Sequence, residues 1–293
     1  MKQAPSLLLL GGGYTLSQLA HQLPPNSFVI TSTSETKVRA FHDSGYLAER
    51  VSLDDSTTIA ALFAKYDSVQ TIVDSIPPLR SGNPTSATES LISQFPKSVR
   101  RVFYLSTTGV YGKRDGSWVT EDTACTPYYE SSALRVQVEK CYWKQSHFQT
   151  TAFRLSGIYG PERGVGLSMK NGTYRLIEND TRFTNRIHVA DIVGILSSAI
   201  TSSLPLPNAL NVSDDCPALA TEVTKYYQEH FSCPPPQQIA ATEAEKLGGR
   251  MVLNQRVSNS LVKDTLSYIF RYPTYREGAG TEFVAASSYS GRE

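Results

Sequence analysis

The first 160 residues alternate between short apolar runs and segments in which apolar residues recur every three or four positions. The runs predict β-strands, and the spaced segments predict amphipathic helices between them. Repeated strand–helix units favour a parallel sheet covered by helices on both faces. The predicted fold class is therefore α/β, with a doubly wound parallel sheet. The predicted strands are residues 7–10, 28–31, 50–52, 71–73, 101–105 and 150–155, with helices around Leu19, Phe41, Leu62, Ile92 and Val138.

The pattern changes after residue 160. Residues 161–186 are polar and contain glycines, which predicts a loop or a substrate-side insertion. We predict a sheet domain over 1–165, to which a helix near 188–203 returns, and a smaller substrate-side lobe over 166–293. The Gly-, Ala- and Ser-rich tail from about residue 278 is expected to be mobile.

Composition narrows the class of partner. With 293 residues, 40% of them hydrophobic and 19% charged, the chain can bury a sizeable core. The net charge of +1, with no basic stripe, argues against nucleic acid or a membrane surface as the main partner and favours a small molecule. The four cysteines show no metal-ligand spacing, so we expect no metal, reduced thiols and a cytoplasmic location.

A glycine-rich turn, Gly11–Gly13, follows the first predicted strand and precedes a predicted helix. In this context glycines allow a close approach to a dinucleotide pyrophosphate, whose charge the helix N-terminus stabilises. Counted as G-x-G-x-x-G, the third glycine is replaced by Leu16, which affects the contact between helix and strand rather than the phosphate contact. The cofactor-binding candidates here are Gly11, Gly13, Tyr14 and Thr15.

The residues after the second predicted strand bear on the choice between NAD and NADP. NAD sites usually place an acidic residue at this strand end, where it binds the ribose 2′-hydroxyl. Here Thr33 and Ser34 provide hydroxyls and Lys37 a positive charge, which together can bind a 2′-phosphate and favour NADP. Glu35 lies close enough to favour NAD instead. NAD or NADP is thus the expected cofactor, with NADP preferred.

Five segments stand out in order along the first two thirds of the chain. They are the glycine turn, Ser-Thr-Thr-Gly-Val-Tyr-Gly (106–112), Trp-Val-Thr-Glu (118–121), Arg-Leu-Ser-Gly-Ile-Tyr-Gly-Pro (154–161) and Arg-Ile-His-Val-Ala-Asp-Ile (186–192). Together they resemble the extended short-chain dehydrogenase/reductases, the NAD-dependent epimerase/dehydratase group. The resemblance implies a Rossmann-type domain with cofactor contacts at Asp54, Ser75 and Ser106. Residues 256–259 and 272–278 are similar to an atypical branch of this group.

The catalytic pattern of this group is incomplete in the chain. Members use a Ser or Thr after the fifth strand and a Tyr-x-x-x-Lys pair on the next helix, in which the tyrosine is the acid or base. Thr107 or Thr108 resembles the hydroxyl residue, but no lysine has a tyrosine four residues before it. Ser131 and Arg135 stand at the pair's positions. Arg135 can bind the ribose, although its guanidinium hardly deprotonates.

Other side chains are candidates for the missing functions. Tyr111, Tyr128 or Tyr129 could supply a phenol from another backbone position, or each could pack at a cleft rim. Arg186 is a candidate for binding an anionic substrate, since an arginine fork grips phosphate or carboxylate. His188, nearby, is expected to be structural.

The combined prediction is an NAD(P)-dependent oxidoreductase, or an epimerase/dehydratase-like enzyme, acting on a small substrate such as a nucleotide sugar. Thr107 or Thr108 would hydrogen-bond the reacting oxygen. The missing pair leaves an alternative, a non-catalytic NAD(P)-binding redox sensor or interaction protein. Because members of the group often dimerise through two helices, the resemblance also implies a homodimer.

Overall fold

The computed structural model describes residues 4–79 and 84–285, and strands and helices alternate through its first half. The strands are β1 (Leu7–Leu10), β2 (Phe28–Ser32), β3 (Leu47–Arg50), β4 (Thr71–Asp74), β5 (Arg101–Thr107), β6 (Arg114–Val119), β7 (Gln149–Leu155), β8 (Gly157–Tyr159), β9 (Arg175–Ile177), β10 (Phe183–Thr184), β11 (Arg186–His188), β12 (Ala209–Val212), β13 (Ala218–Leu219), β14 (Gln237–Ile239) and β15 (Asn254–Val257). The α-helices are α1 (Tyr14–Ala20), α2 (Glu35–Asp43), α3 (Ser56–Lys65), α4 (Pro84–Ser93), α5 (Glu130–Trp143), α6 (Val165–Lys170), α7 (Val189–Thr201), α8 (Ala220–Phe231), α9 (Ala241–Leu247), α10 (Ser260–Leu266) and α11 (Tyr275–Gly278). Short 3-10 helices cover Thr108–Tyr111, Gly249–Val252 and Ala279–Phe283.

Seven strands form a central sheet in the order β12-β7-β5-β4-β1-β2-β3. β1 pairs in parallel with both β2 and β4, and the β2–β3 and β4–β5 pairs are parallel as well. The order of strands reverses between β1 and β4, and in doubly wound sheets ligands bind outside the carboxyl ends of the strands at this point. The predicted α/β class with a doubly wound sheet is confirmed.

The burial of β1 explains the run of four leucines that marks it. All four residues are buried because helices cover both faces of a parallel sheet. α3 contributes the spaced apolar side chains Ile59, Leu62 and Phe63 to the same core. The ring of Phe63 meets that of Phe95 edge-on at 5.4 Å between centroids. The two periodicities read from the sequence therefore correspond to real buried faces.

Contacts within the chain define two compact units that differ from the predicted 1–165 and 166–293 division. The first unit runs from the first described residue to Ser106 and adds Leu134–Arg154 and Ala199–Leu210. The second contains Thr107–Ala133 and Leu155–Ser198, and continues from Asn211 to the last described residue. The chain passes between the units several times, which a single sequence boundary cannot represent.

Several predicted elements need correction. The third strand is Leu47–Arg50, three residues earlier than predicted, and the segment 161–186 contains α6, β9 and β10 rather than a continuous loop. β12, assigned from sequence to the smaller lobe, is the edge strand of the central sheet. Its four residues follow a proline-rich stretch, and a run this short carries no signal of which sheet it joins.

The predicted mobile tail is corrected in its first part. Residues 279–283 form a 3-10 helix in which Ala279 and Glu282 are buried, so the chain is packed there. Of the rest of the predicted tail, residues 286–293 lie outside the described residues. Within the described part of the chain, no helix has the length and apolar character needed to cross a membrane.

Candidate cofactor and catalytic sites

The turn after β1 lies at the reversal point of the sheet and is tied to the ends of β2 and β4. Gly11 has a φ of +87°, a left-handed conformation that glycine adopts without steric cost. Its amide donates to Thr31 Oγ1 at 3.0 Å, and its carbonyl accepts from Ser75 Oγ at 2.7 Å. The predicted cofactor residues Gly11 and Ser75 are thus in direct contact at this edge.

Gly12 and Gly13 differ in how much space surrounds their Cα atoms. A Cβ on Gly12 would lie 2.7 Å from the Phe41 ring and 3.0 Å from the Thr31 carbonyl oxygen, whereas a Cβ on Gly13 would meet only the Gly11 carbonyl at 3.9 Å. The open side at Gly13 fits the close backbone approach that a pyrophosphate needs. Gly12 was missed as a site residue, although its place between two named glycines was a signal. At the start of α1, Tyr14 is half-buried and Thr15 is buried.

The end of β2 presents both predicted and unpredicted polar groups. Thr33 and Lys37 are exposed, and Ser34 Oγ caps α2 by accepting from the Lys37 amide at 3.4 Å. Arg50, at the end of β3, donates from Nε to the Thr33 carbonyl at 3.3 Å. Arg50 was not predicted, because only the sheet brings β3 beside β2. The predicted adenine contact, Asp54, is exposed in the loop after β3.

Arg135, at the family's lysine position, is held by the backbone of β5. Its Nη1 donates to the Leu105 carbonyl at 2.7 Å and to the Tyr104 hydroxyl at 3.3 Å. Its other nitrogens make no hydrogen bond to the described residues. The half-buried guanidinium is therefore fixed in place with donors to spare, which suits the binding of a ribose hydroxyl.

A buried carboxyl lies at the end of β4, near Arg135. Asp74 accepts from the Tyr142 hydroxyl at 2.7 Å and from the Ile76 amide at 2.8 Å. Burial raises the pKa of Asp74 to about 6, against the opposing effects of the two hydrogen bonds and of the Arg135 charge. Asp74 thereby fixes the start of the loop that follows β4, where Ser75 lies.

Ser106, predicted to bind the cofactor, is engaged elsewhere. Its hydroxyl donates to Glu139 at 2.5 Å, and Glu139 is paired with Arg154 at 2.9 Å. All three residues are buried. The hydroxyl completes the hydrogen bonding of a buried ion pair, so the structure gives Ser106 a structural role in place of the predicted one.

In the second unit, the two candidate threonines lie at the start of the 3-10 helix after β5 and differ in burial. Thr107 is half-buried, and its Oγ1 accepts from the Gly109 amide at 3.2 Å. Thr108 is buried, and its Oγ1 lies 3.5 Å from the Leu155 carbonyl. Gln255 donates to the Thr108 carbonyl at 2.9 Å and so pins this residue further. Of the two threonines, Thr107 is the less buried.

Tyr111 does not offer a free phenol. It is fully buried, and its hydroxyl donates to Asn211 Oδ1 at 2.6 Å. The Asn211 amide in turn donates to Glu121 Oε1 at 2.6 Å. The predicted catalytic role of Tyr111 is therefore corrected to a structural one, and Glu121 contributes to the same hydrogen-bond network.

The segment entering α5 contains three further candidates with different surroundings. Tyr128 is exposed, with its hydroxyl 3.2 Å from Glu245 and the Arg114 guanidinium 4.3 Å from its ring centroid. Ser131 is exposed on the first turn of α5. The half-buried Tyr129 directs its hydroxyl against Gly109. Of these three, only Tyr129 reaches the turn of Thr107.

Arg186 and His188 lie on β11, in the second unit. Arg186 is 5% exposed and donates from Nη2 to Thr184 Oγ1 at 2.6 Å, while its Nε has no hydrogen-bond partner within the described residues. Its contact with an anionic substrate stays a prediction. His188 Nδ1 accepts from the Ala190 amide at 3.1 Å, which leaves Nε2 to donate to Thr281 at 2.9 Å. Burial lowers the pKa of His188 to about 3, so the ring is neutral and structural.

Comparisons with known proteins bear on the family of this chain. The NAD dependent epimerase/dehydratase family profile matches residues 11–179. A 3-diazoavenalumate denitrifying reductase from Streptomyces is 29% identical over 140 residues, which are 44% of this chain and 45% of that protein. The chain therefore spans less than half the length of this curated relative.

Solved structures match over nearly the whole chain. A functionally unknown conserved protein from Silicibacter pomeroyi is 31% identical, with a TM-score of 0.76 over 94% of this chain and 97% of that one. UDP-glucuronic acid 4-epimerase from Bacillus cereus, solved with NAD, is 14% identical, with a TM-score of 0.73 over 94% of this chain and 96% of that one. The second likeness shows the fold. Since the family profile covers more than half of the sequence, the chain belongs to the NAD-dependent epimerase/dehydratase family.

Proposed function

We propose that this protein binds NADP or NAD at the Gly11–Gly13 turn and transfers a hydride between the cofactor and a small substrate. The observation that carries the proposal is the turn itself, which lies at the reversal point of the sheet with one side closed at Gly12 and the other open at Gly13. A cofactor bound there would supply or accept the hydride.

Two side chains have the geometry for the accompanying roles. Arg135, fixed by Leu105 and Tyr104, would bind the nicotinamide ribose in place of the family's lysine. Thr107, which is half-buried, would donate a hydrogen bond to the reacting oxygen of the substrate. Both residues stand at the matching positions of the family pattern. Both also keep hydrogen-bond donors that make no hydrogen bond to the described residues.

The proposed substrate class is a nucleotide sugar. Its support is the structural likeness to the Bacillus cereus enzyme, whose name states that it acts on UDP-glucuronic acid. The alternative is a non-catalytic cofactor-binding protein, which the absence of a tyrosine at position 131 favours. Incubation with NADPH or NADH carrying deuterium at C4 separates the two, because only an enzyme moves the label into added substrate or product.

The preference for NADP is supported by charge at the end of β2. Lys37 is exposed there, and Arg50 is anchored to the Thr33 carbonyl, so two cations are available for a 2′-phosphate. Glu35 is the opposing charge. This strand end thus combines two candidate phosphate-binding cations with one carboxylate.

Calorimetric titration tests the cofactor assignment. We expect wild-type protein to bind NADP⁺ more tightly than NAD⁺, and Lys37→Gln and Arg50→Gln each to weaken NADP⁺ by roughly tenfold while leaving NAD⁺ unchanged. Arg39→Gln, an exposed cation on the same helix, is the matched control and should change neither. Equal affinity of the wild type for NADP⁺ and NAD⁺ would reject the preference, and absence of binding of either nucleotide by wild type would reject the proposed function.

A further inference from the structure

We propose that Tyr129 supplies the phenol that gives and takes the proton in this reaction, in place of the tyrosine absent at position 131. This inference rests on the proposed function. It assigns the role to a residue two positions earlier in the chain, just before the first residue of α5.

The first argument is the glycine at position 109. Gly109 is not among the glycines with positive φ, so its backbone does not require glycine. A Cβ at this position would overlap both the Tyr129 hydroxyl and Ser132 Oγ. The absence of a side chain at Gly109 therefore makes room for two hydroxyl groups.

The second argument is that the Tyr129 hydroxyl is uncommitted. It makes no hydrogen bond within the described residues, whereas the Tyr111 hydroxyl donates to Asn211 and the Tyr128 hydroxyl contacts Glu245. Half-buried, it remains reachable from solvent. A phenol packed against a turn, with no protein partner, is free to exchange a proton with a ligand.

The third argument is that the position of Tyr129 is fixed. Its carbonyl accepts from the amides of Ser132 and Ala133, both at 3.1 Å, and so caps the first turn of α5. These bonds fix the backbone of Tyr129, from which the side chain extends to Gly109.

A second hydroxyl at the same place lacks a partner. Ser132 is fully buried, and its Oγ makes no hydrogen bond within the described part of the chain. Buried polar atoms are usually satisfied, and one left open next to a candidate site points to a missing water or ligand oxygen. Together with Thr107 Oγ1, which accepts from the Gly109 amide, three hydroxyls surround this one glycine.

The chemical step balances with the proposed cofactor. In the oxidation direction, Tyr129 as its phenolate would accept the hydroxyl proton of a substrate carbinol, and bound NAD(P)⁺ would supply the acceptor for the hydride. The products would be a carbonyl, NAD(P)H and a neutral phenol, and the reverse direction would return the hydride and the proton to the substrate. Thr107 would donate its hydrogen bond to the same oxygen.

The first test compares Tyr129→Phe with Tyr128→Phe. With UDP-glucuronic acid as the probe substrate and C4-deuterated cofactor, we expect Tyr129→Phe to lower label transfer by roughly a hundredfold or more. Its calorimetric affinity for the cofactor should stay unchanged, and Tyr128→Phe should retain wild-type transfer. Label transfer by Tyr129→Phe at the wild-type rate would overturn the role of Tyr129 while leaving the proposed function standing.

The second test does not depend on turnover. Tetranitromethane nitrates accessible phenols, and peptide mass spectrometry reports modification at positions 128 and 129 separately. We expect both to be nitrated in the free protein, and NAD⁺ with UDP-glucuronic acid to protect Tyr129 but not Tyr128. An unmodified Tyr129 in the free protein, or equal modification with and without these ligands, overturns the assignment. Wild-type protein that binds no nicotinamide nucleotide rejects the assignment together with the proposed function.

Discussion

Two glycine-bearing turns, one after β1 and one after β5, illustrate different reasons for the same residue. In the first, Gly11 takes a left-handed conformation and Gly12 lies against the Phe41 ring. In the second, Gly109 has ordinary backbone geometry and yields its space to Tyr129 and Ser132. Both turns depend on residues that are distant in sequence: Thr31, Phe41 and Ser75 at the first, and Tyr129 and Ser132 at the second. Only the first forms a familiar motif, because its three glycines are consecutive in the sequence.

From this comparison we predict that Gly109→Ala will lower the rate of hydride transfer. Both overlapping groups are ends of side chains, so they can move aside and the fold should persist, but the Tyr129 hydroxyl is displaced. A displacement of about 1 Å at a reacting group costs on the order of a hundredfold in rate. Label transfer from C4-deuterated cofactor should fall by that factor with cofactor affinity unchanged. Wild-type transfer by this variant would contradict the reason given for the glycine.

Gly12→Ala should weaken the binding of the cofactor and lower the stability of the protein. Its Cβ would press on a buried ring and a backbone carbonyl, neither of which moves freely. Overpacking of this kind lowers the free energy of unfolding by about 1–3 kcal/mol. If the strain is relieved by a shift of the turn, the affinity for NAD(P) should fall roughly ten- to hundredfold. Calorimetry and urea denaturation measure the two effects. Gly13→Ala, on the open side, is the control for stability, and an equal loss of stability in both variants would contradict the two-sided description.

A buried carboxyl, that of Glu282, is expected to make the stability of the protein depend on pH. In the second unit, Glu282 accepts from the Tyr227 hydroxyl and the Leu167 amide, and burial raises its pKa to about 7 from an ordinary value of 4.5. The folded protein therefore keeps a proton that the unfolded chain loses between these pH values. The stability that this group contributes is full below about pH 4.5 and is lost as the pH rises through 7, by at most about 3 kcal/mol.

Glu282→Gln removes this titration. The unfolding free energy of the variant, measured in urea from pH 5 to pH 8, should fall less steeply with pH than that of the wild type. Glu229→Gln, an exposed residue of α8, should leave the wild-type slope intact. Identical slopes for Glu282→Gln and wild type would show that the carboxyl does not carry the pH dependence.

The smallest effect is expected at Tyr275. Its hydroxyl is buried without a partner in the described part of the chain, while its ring lies 5.4 Å from that of Tyr226 and 5.3 Å from the Arg186 guanidinium. Tyr275→Phe keeps the ring and should change stability by no more than about 0.5 kcal/mol. Tyr227→Phe, which removes the partner of Glu282, should cost about 1–3 kcal/mol by the same denaturation assay. A large loss at Tyr275 would reveal a bound water on its hydroxyl.

Much of the fold followed from local pattern. The leucines of β1 and the spaced apolar residues of α3 identified their elements because burial on two faces, or on one, imposes a characteristic spacing. β12 escaped the same reasoning, since four residues after a proline-rich stretch carry too little pattern. The packed 279–283 segment escaped as well, because it opens a Gly-, Ala- and Ser-rich stretch that resembles a flexible tail, although Glu282 anchors it.

The sequence by itself determined the family, the glycine turn and the absence of a tyrosine at position 131, because each is written in consecutive residues. Only the tertiary structure decided which hydroxyls are available. It committed Ser106 to Glu139 and Tyr111 to Asn211, and placed the Tyr129 hydroxyl at Gly109 with no hydrogen bond to the described residues. The physical reason is that a side chain's chemistry depends on its hydrogen-bond partners and burial, and these partners lie tens of residues away along the chain.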